Sequence, residues 1–296
     1  MMDIERLRTI VGTVDCEENF SFAKHTTYGC GGTAAKAYFP KNIRQAVCVY
    51  KYLKASGEKF VTLGNGSNVL ASDKPFDGSV ICTRKMKGMY LTGEDTAFCL
   101  AGTNVGEMLK FCVDNSLSGL EYLAGIPATC GGLAFMNGGA AGRYVCGEII
   151  KVKFFDGKLR DISNKSCNFG NKYSIMRDIN GLILGAEFKL KPQDKETVRK
   201  NIQTRLKGRN ALPKGKSCGC VFKNPDGVSA GKIIDDAGLK GLSRGGAFVS
   251  GEHGNFIMNT GNSSSDVYAL IKEVKRKVFE TDGINLEEEV IYIGDF

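Results

Sequence analysis

The apolar positions Ile43, Ala46, Val47, Tyr50 and Leu53 recur at helical spacing and stop at Gly57, which predicts a helix over 41–57. The run Phe60-Val61-Thr62-Leu63 that follows reads as a strand. It leads directly into Gly64-Asn65-Gly66-Ser67-Asn68, after which Val69-Leu70, Val80-Ile81-Cys82 and Ala97-Phe98-Cys99-Leu100 read as further short strands. Helical spacing returns at Met108, Leu109, Cys112 and Val113 and ends near Gly119. A glycine-dense segment, 125–142, separates this helix from the strand-like Val152, Phe154 and Leu159. The polar, proline-bearing Lys191-Pro192-Gln193-Asp194-Lys195 marks a domain boundary ahead of a basic helix, 196–209. After a second glycine-rich stretch, 215–246, Ser263-Ser264-Ser265-Asp266 offers an N-cap to a helix with Val267, Leu270, Ile271, Val274 and Val278 on one face and Gly283 at its end. Val290 to Ile293 closes the chain as a strand. The pattern is α+β.

Composition narrows the function classes. The 296 residues include 42% hydrophobic residues and only 6 prolines, which excludes a disordered chain, while 38 glycines exceed the usual ~7% and call for tight turns or ligand loops. Lys+Arg 40 against Asp+Glu 32 leaves a net charge of +8, which suits nucleic acid, an anionic surface or a phosphorylated small molecule. Nucleic acid is disfavoured, because the chain has no tryptophan and no basic cluster interleaved with aromatics. The charged start, Met1-Met2-Asp3-Ile4-Glu5-Arg6, is unlike a secretory signal, and no window approaches the ~18 apolar residues of a membrane span, so a cytoplasmic protein is expected. Eleven cysteines scattered through apolar runs suit buried thiols in a reducing compartment. With two distant histidines, His25 and His253, and no C-x-x-C pair, no metal site is expected.

Candidate chemistry lies in the glycine loops. The loop Gly64 to Asn68 leaves backbone N–H groups available to an anion, with Ser67 and Asn68 adding side-chain donors, although a plain hairpin turn is the alternative. It matches neither a P-loop nor a dinucleotide fingerprint. In the second loop, Gly125-Ile126-Pro127-Ala128-Thr129-Cys130-Gly131-Gly132 and Met136-Asn137-Gly138-Gly139-Ala140-Ala141-Gly142, the density of small residues suggests backbone pressed against a large planar ligand.

These loops, together with Gly219-Cys220-Val221-Phe222-Lys223-Asn224-Pro225, Ala230-Gly231-Lys232-Ile233-Ile234-Asp235 with Gly238-Leu239-Lys240-Gly241, and Leu286-Glu287-Glu288-Glu289, resemble the UDP-N-acetylenolpyruvoylglucosamine reductases in their order from Thr27-Tyr28-Gly29 to Gly294. The resemblance implies an α+β fold with a two-lobed FAD-binding domain of the vanillyl-alcohol-oxidase type, 1–80 and 81–195, and a substrate-binding domain, 196–296, whose last stretch, 286–296, returns toward the FAD site. The absence of a long tyrosine-bearing insertion makes it similar to the shorter type. It implies non-covalent FAD held by Leu63, Gly64, Asn65, Gly66, Ser67, Asn68, Gly125, Ile126, Pro127, Thr129, Gly131, Gly132, Asn137, Gly138, Gly139, Ala140 and Gly142. It further implies NADPH as co-substrate, UDP-N-acetylglucosamine enolpyruvate as substrate, no nucleic-acid or membrane partner, and a monomer.

The implied reaction passes a hydride from flavin N5 to C3 of the enolpyruvyl group and a proton to C2. The family's proton donor, a serine before the F-K-N-P run, is replaced here by Cys220, a stronger acid with a larger sulfur. Cys218 is read as pointing away from Cys220 and not as its redox partner. The arginine of the family's tyrosine-arginine-x-serine run is replaced by Lys172, which supplies charge without a bidentate fork, while Arg177 is read as pointing elsewhere. Glu289 corresponds to the second acid of the L-E-x-E motif, and Arg209, Lys223 and Asn224 to substrate-binding positions. Against these roles stand plain ones: a buried thiol, a surface lysine and a solvated acidic run. The two replacements keep open a catalytically altered or inactive flavin- or nucleotide-binding paralogue. A covalent-flavin oxidase is disfavoured, since the Gly64 to Asn68 loop has no histidine.

Overall fold

The computed structural model describes residues 4–296, so Met1, Met2 and Asp3 of the charged start lie outside the described residues. The chain divides into two compact units: one reaching to Glu17 and continuing in Ala37–Asn65 and Ser79–Asn210, the other formed by Glu18–Lys36, Gly66–Gly78 and Ala211–Phe296.

The first unit holds two hydrophobic clusters. In one, Leu7, Val11 and Val14 from and after the helix Ile4–Val11 pack with Ala46, Val49, Tyr50 and Leu53 of the helix Ile43–Ala55. The Asn42 side chain caps the second helix by accepting the Gln45 N–H at 3.0 Å. Phe60–Leu63 and the run Val80 to Cys82, both read as strands from sequence, pair in parallel in the register Phe60 to Ser79 and Leu63 to Cys82. The other cluster lies under a five-stranded antiparallel sheet ordered Leu159–Ser163, Ile149–Phe155, Leu182–Lys189, Thr96–Leu100 and Met89–Leu91. The helix Val105–Asp114 packs into it through Val105, Met108, Leu109 and Cys112, with Asn104 and Glu107 forming a reciprocal capping box.

The division falls elsewhere than at the polar stretch near residue 195. The helix Lys195–Gly208 belongs to the first unit because Val198 is fully buried and Ile202, one turn on, packs against the sheet cluster. Conversely, Glu18–Lys36 and Gly66–Gly78 belong to the second unit, which no local composition shift announces. A short helix, Cys130–Met136, also sits inside the glycine-dense segment, its start capped by Thr129.

The second unit is organised by the helix Ser264–Asp282, whose predicted face, Val267, Leu270, Ile271, Val274 and Val278, is fully buried. It ends at Gly283, φ +67°, the left-handed cap that the sequence suggests. The strand Ile291–Ile293 pairs in parallel with Val69–Ala71. Asp73, just beyond that strand, reaches the start of the long helix: it accepts the N–H of Ser264 at 2.8 Å and of Ser265 at 3.0 Å, and the hydroxyls of Ser263 at 2.8 Å and Ser265 at 2.9 Å. Burial pushes the Asp73 carboxyl up, but the backbone donors of Ser264 and Ser265 and the two hydroxyls outweigh it and hold it at about 2.

Asp73→Ala should therefore lower the unfolding free energy by about 1 kcal/mol near neutral pH, the usual scale of a helix cap. Since the folded-state pKa is depressed, the contribution is complete above the ordinary value of 3.8 and disappears as pH falls toward 2. Urea titrations of both proteins at pH 7 and pH 2 test this: the midpoints should differ at the first and converge at the second.

Candidate active site

The chain from Cys218 to Asn224 lies in the second unit between two partners. On one side Cys220 forms an antiparallel bridge with Phe256, and the Val221 N–H donates to the Asn255 carbonyl at 3.0 Å. On the other side Phe222 bridges Glu288, the Glu289 N–H donates to the Val221 carbonyl at 2.7 Å, and the Lys223 N–H to the Glu287 carbonyl at 2.9 Å. These bonds bring the segment that carries Cys220 and Lys223 together with the sequence-distant segment that carries Glu289. The Asn68 side chain completes the arrangement by donating to the Glu289 carbonyl at 3.0 Å.

Gly219 separates the two thiols. Its φ of +81° breaks the extended run, so that Cys218 enters the core with its sulfur 3.4 Å from the Tyr28 hydroxyl while Cys220 stays half-buried. Burial pushes the Cys218 thiol up to about 12, the Tyr28 hydrogen bond opposes this, and the nearby Glu289 and Cys220 add to it. Cys218 is therefore a protonated core thiol, and Cys220 is the one at the surface of the site.

Lys223 is already paired: its ammonium donates to the Glu287 carboxylate. Asn224 uses its side-chain oxygen to cap the helix Ala230–Asp236 at the Ala230 N–H, 3.0 Å away. Buried Asn255 is a residue that the motifs do not single out. Its side-chain oxygen accepts from Val221 at 3.2 Å and Phe222 at 2.8 Å, and its amide donates back to the Phe222 carbonyl at 2.8 Å. No periodicity marks it, because the backbone it clamps lies more than thirty residues away in sequence.

In the first unit the two glycine loops meet. The Asn65 amide donates to the Pro127 carbonyl at 2.9 Å, and a Cβ on Gly64 would come within 2.6 Å of the Thr129 hydroxyl. Thr129 itself caps Cys130–Met136. Not every glycine serves a ligand, however. Gly139 is required by the protein's own backbone, since a Cβ there would lie 1.9 Å from the Arg143 carbonyl oxygen across the hairpin Gly139–Ala140 and Arg143–Tyr144. The turn of that hairpin is made by Ala141 at φ +53° and Gly142 at φ +75°. The Asn137 side chain is likewise spent internally, donating to the Gly170 carbonyl at 2.9 Å and accepting from the Cys146 N–H at 3.1 Å.

Lys172 stands in a tight turn between Gly170 and Tyr173, at φ +55°. Arg177 does not point elsewhere: the 3₁₀ turn Ile175–Arg177 folds it back, and its guanidinium donates to the Lys172 carbonyl at 2.6 Å. The adjoining Ser174 is fully buried, its hydroxyl on the Phe135 carbonyl at 2.7 Å. Arg209 belongs to this unit as well, its side chain lying where a Cβ on Gly125 would sit, 2.9 Å from Cδ.

The residues present fit a bound pyrophosphate. Among the described residues, the backbone N–H groups of Asn65, Gly66, Ser67 and Asn68 make no hydrogen bond to the protein, four donors in a row. Gly66 admits no side chain, with φ +64° and a Cβ position 2.4 Å from the His25 carbonyl oxygen. Next to it, the Thr27 hydroxyl is buried without a partner, while the Thr27 N–H donates to the Gly66 carbonyl at 3.1 Å.

Comparison with known proteins agrees. The family described as FAD binding domain matches residues 34–157, and UDP-N-acetylenolpyruvoylglucosamine reductase, C-terminal domain, matches residues 211–293. The chain is 37% identical to the UDP-N-acetylenolpyruvoylglucosamine reductase of Halalkalibacterium halodurans, over 99% of this chain and 98% of that one. It is 35% identical to that of Caldicellulosiruptor saccharolyticus, over 92% and 89% of the two chains. The crystal structure of the Thermus caldophilus reductase superposes with a TM-score of 0.79 at 33% identity, covering 95% of this chain and 99% of that one. By sequence over nearly its whole length and by fold, the chain belongs to the UDP-N-acetylenolpyruvoylglucosamine reductase family.

Proposed function

We propose that this protein reduces UDP-N-acetylglucosamine enolpyruvate to UDP-N-acetylmuramate for peptidoglycan synthesis, consuming NADPH and using non-covalent FAD. The observation that carries the reading is the joining of Cys220, Lys223 and Glu289 through the Val221 and Lys223 backbone, beside a loop whose four N–H groups make no hydrogen bond among the described residues. The same reading takes the chain as the shorter family type and as a cytoplasmic monomer; of the sequence-based lobes 1–80 and 81–195 and the substrate domain 196–296, the substrate domain is narrowed to begin after the helix Lys195–Gly208, which packs in the first unit. Among the described residues no helix is long and apolar enough to cross a membrane.

When bound, FAD supplies the hydride chemistry, acceptance from NADPH and delivery to C3 of the enolpyruvyl group. Asn65 to Asn68 offer the cofactor's phosphates their backbone N–H groups, with Gly125 to Gly132 beside Gly64 and Asn65. Hydride delivery leaves negative charge at C2 of the substrate that spreads into its carboxylate. Lys172 balances that charge from a turn whose carbonyl is gripped by Arg177. Cys220 donates its thiol proton to C2, and Glu289 orients the thiol and the proton path. Lys223 exchanges its Glu287 partner for an anionic group of the substrate, and Arg209 and Asn224 contribute to binding the UDP portion.

The test is anaerobic absorbance in the flavin band. NADPH should bleach it, and UDP-N-acetylglucosamine enolpyruvate should restore it. Bleaching without recovery would favour a paralogue with another acceptor, and a protein that cannot be loaded with FAD would end the flavin assignment. Acid denaturation should release the FAD into the supernatant.

Cys220→Ser should remain active, whereas Cys220→Ala should keep its rate of flavin reduction and lose about a hundredfold or more in the sugar half-reaction, the range of a positioned general acid. An alanine variant that turns over normally would remove Cys220 from the mechanism. Lys172→Ala should cost more in kcat than Lys172→Arg, which keeps the charge; equal, negligible effects would make Lys172 a surface residue.

A further inference from the structure

The acidic run Glu287-Glu288-Glu289 poses a register problem. The segment that holds it is no regular strand: a single bridge, Phe222 to Glu288, and a few backbone bonds tie it to 221–223. A slip of one residue would turn each side chain to the opposite side. Because the three side chains are identical, their chemistry cannot by itself oppose the slip.

Glu288 is the acid the protein treats differently. Its side chain is only 15% exposed, against 70% for Glu287. Each of its oxygens has its own ammonium: Oε1 accepts from Lys272 at 2.9 Å and Oε2 from Lys275 at 2.6 Å. The two lysines stand three apart on the helix Ser264–Asp282, on one face, where that helix is anchored by its buried Val267, Leu270, Ile271, Val274 and Val278. Lys272 is held in turn over the rings of Tyr268, 5.0 Å from the centroid, and Tyr292, 5.6 Å. Burial pushes the Glu288 carboxyl up, but the two lysines outweigh it and lower it below the ordinary carboxylate value, so the ion pairs are complete at neutral pH. A carboxylate held at both oxygens by a rigid helix fixes where residue 288 sits. Its neighbours then face away from that helix, since successive side chains of an extended segment alternate. Glu289 accordingly lies close enough to Cys218 to raise its pKa.

We propose that Glu288, clamped by Lys272 and Lys275, is a positioning residue that selects Glu289 over its identical neighbours for the site. The assignment rests on the role of Glu289 in the reaction given above. The clamp acts through Glu289 and touches no reacting atom.

The experiment is an anaerobic stopped-flow comparison of Glu288→Gln, Glu289→Gln and the double variant, each loaded with FAD, reading the two half-reactions separately. Glu288→Gln should leave flavin reduction by NADPH and the KM for the UDP-sugar within about twofold while slowing reoxidation by the sugar about ten- to a hundredfold, the scale of an ångström-level misplacement. The double variant should be no slower than Glu289→Gln alone, because a residue that acts only through Glu289 has nothing left to act on. Lys275→Arg should retain the wild-type rate and Lys275→Met should lose it. Wild-type reoxidation in Glu288→Gln, or a double variant slower by the full Glu288 factor, would overturn the proposal. A Glu289→Gln protein with full activity would overturn the role of Glu289 itself, and the clamp with it, so the two failures are told apart by the single variants.

Discussion

The second unit depends on the parallel pairing of Ile291–Ile293 with Val69–Ala71, two segments more than two hundred residues apart. Asn68 holds the entrance to that pairing at two points, its carbonyl accepting the Ile291 N–H at 3.0 Å and its amide donating to the Glu289 carbonyl at 3.0 Å. Parallel strands cannot be closed by a short turn, so the contact requires everything between them to be in place. The consequence is chemical as well as mechanical. Glu289, the last acid before the strand, is delivered to its position by the same bonds that join the two ends of the unit.

Around that pairing the protein separates groups of like chemistry by burial and by partner. Cys218 and Cys220 are two residues apart, yet one is a core thiol against Tyr28 and the other is half-exposed, because a left-handed glycine stands between them. Glu287, Glu288 and Glu289 are consecutive, yet the first meets Lys223, the second the helix lysines, and the third acts electrostatically on Cys218. Most of the eleven cysteines are buried, which matches their reading as small apolar side chains. Surface lysines such as Lys41, Lys85, Lys110 and Lys232 are held in ion pairs that add little to stability individually.

The glycines divide in the same way. Gly64 and Gly66 leave no room for a side chain beside a loop whose N–H groups have no partner among the described residues, which suits an approaching phosphate. Gly139 is there because the hairpin backbone passes too close for a Cβ. Glycine density alone does not distinguish a ligand's approach from the chain's own, and only the location of the neighbouring atoms does so.

Local order was determined by the sequence itself. The helices Ile43–Ala55, Val105–Asp114 and Ser264–Asp282 follow from apolar spacing and end signals within one or two turns, the helix Lys195–Gly208 from a basic stretch behind a polar boundary, and the strands Phe60–Leu63 and Thr96–Leu100 from short apolar runs. The ordered motifs likewise pointed to the family and to Cys220 and Glu289. Tertiary structure decided what no local pattern encodes: that Glu18–Lys36 and Gly66–Gly78 join the C-terminal unit, that Val198 and Ile202 draw a basic helix into the first, that Arg177 returns to Lys172, and that Asn255 and the Lys272–Lys275 pair grip the irregular segments of the site. The physical reason is common to all of them. Periodicity reports which face of an element avoids water, whereas the partner that covers this face, or satisfies a single amide or carboxylate, is chosen by a segment far away in the chain.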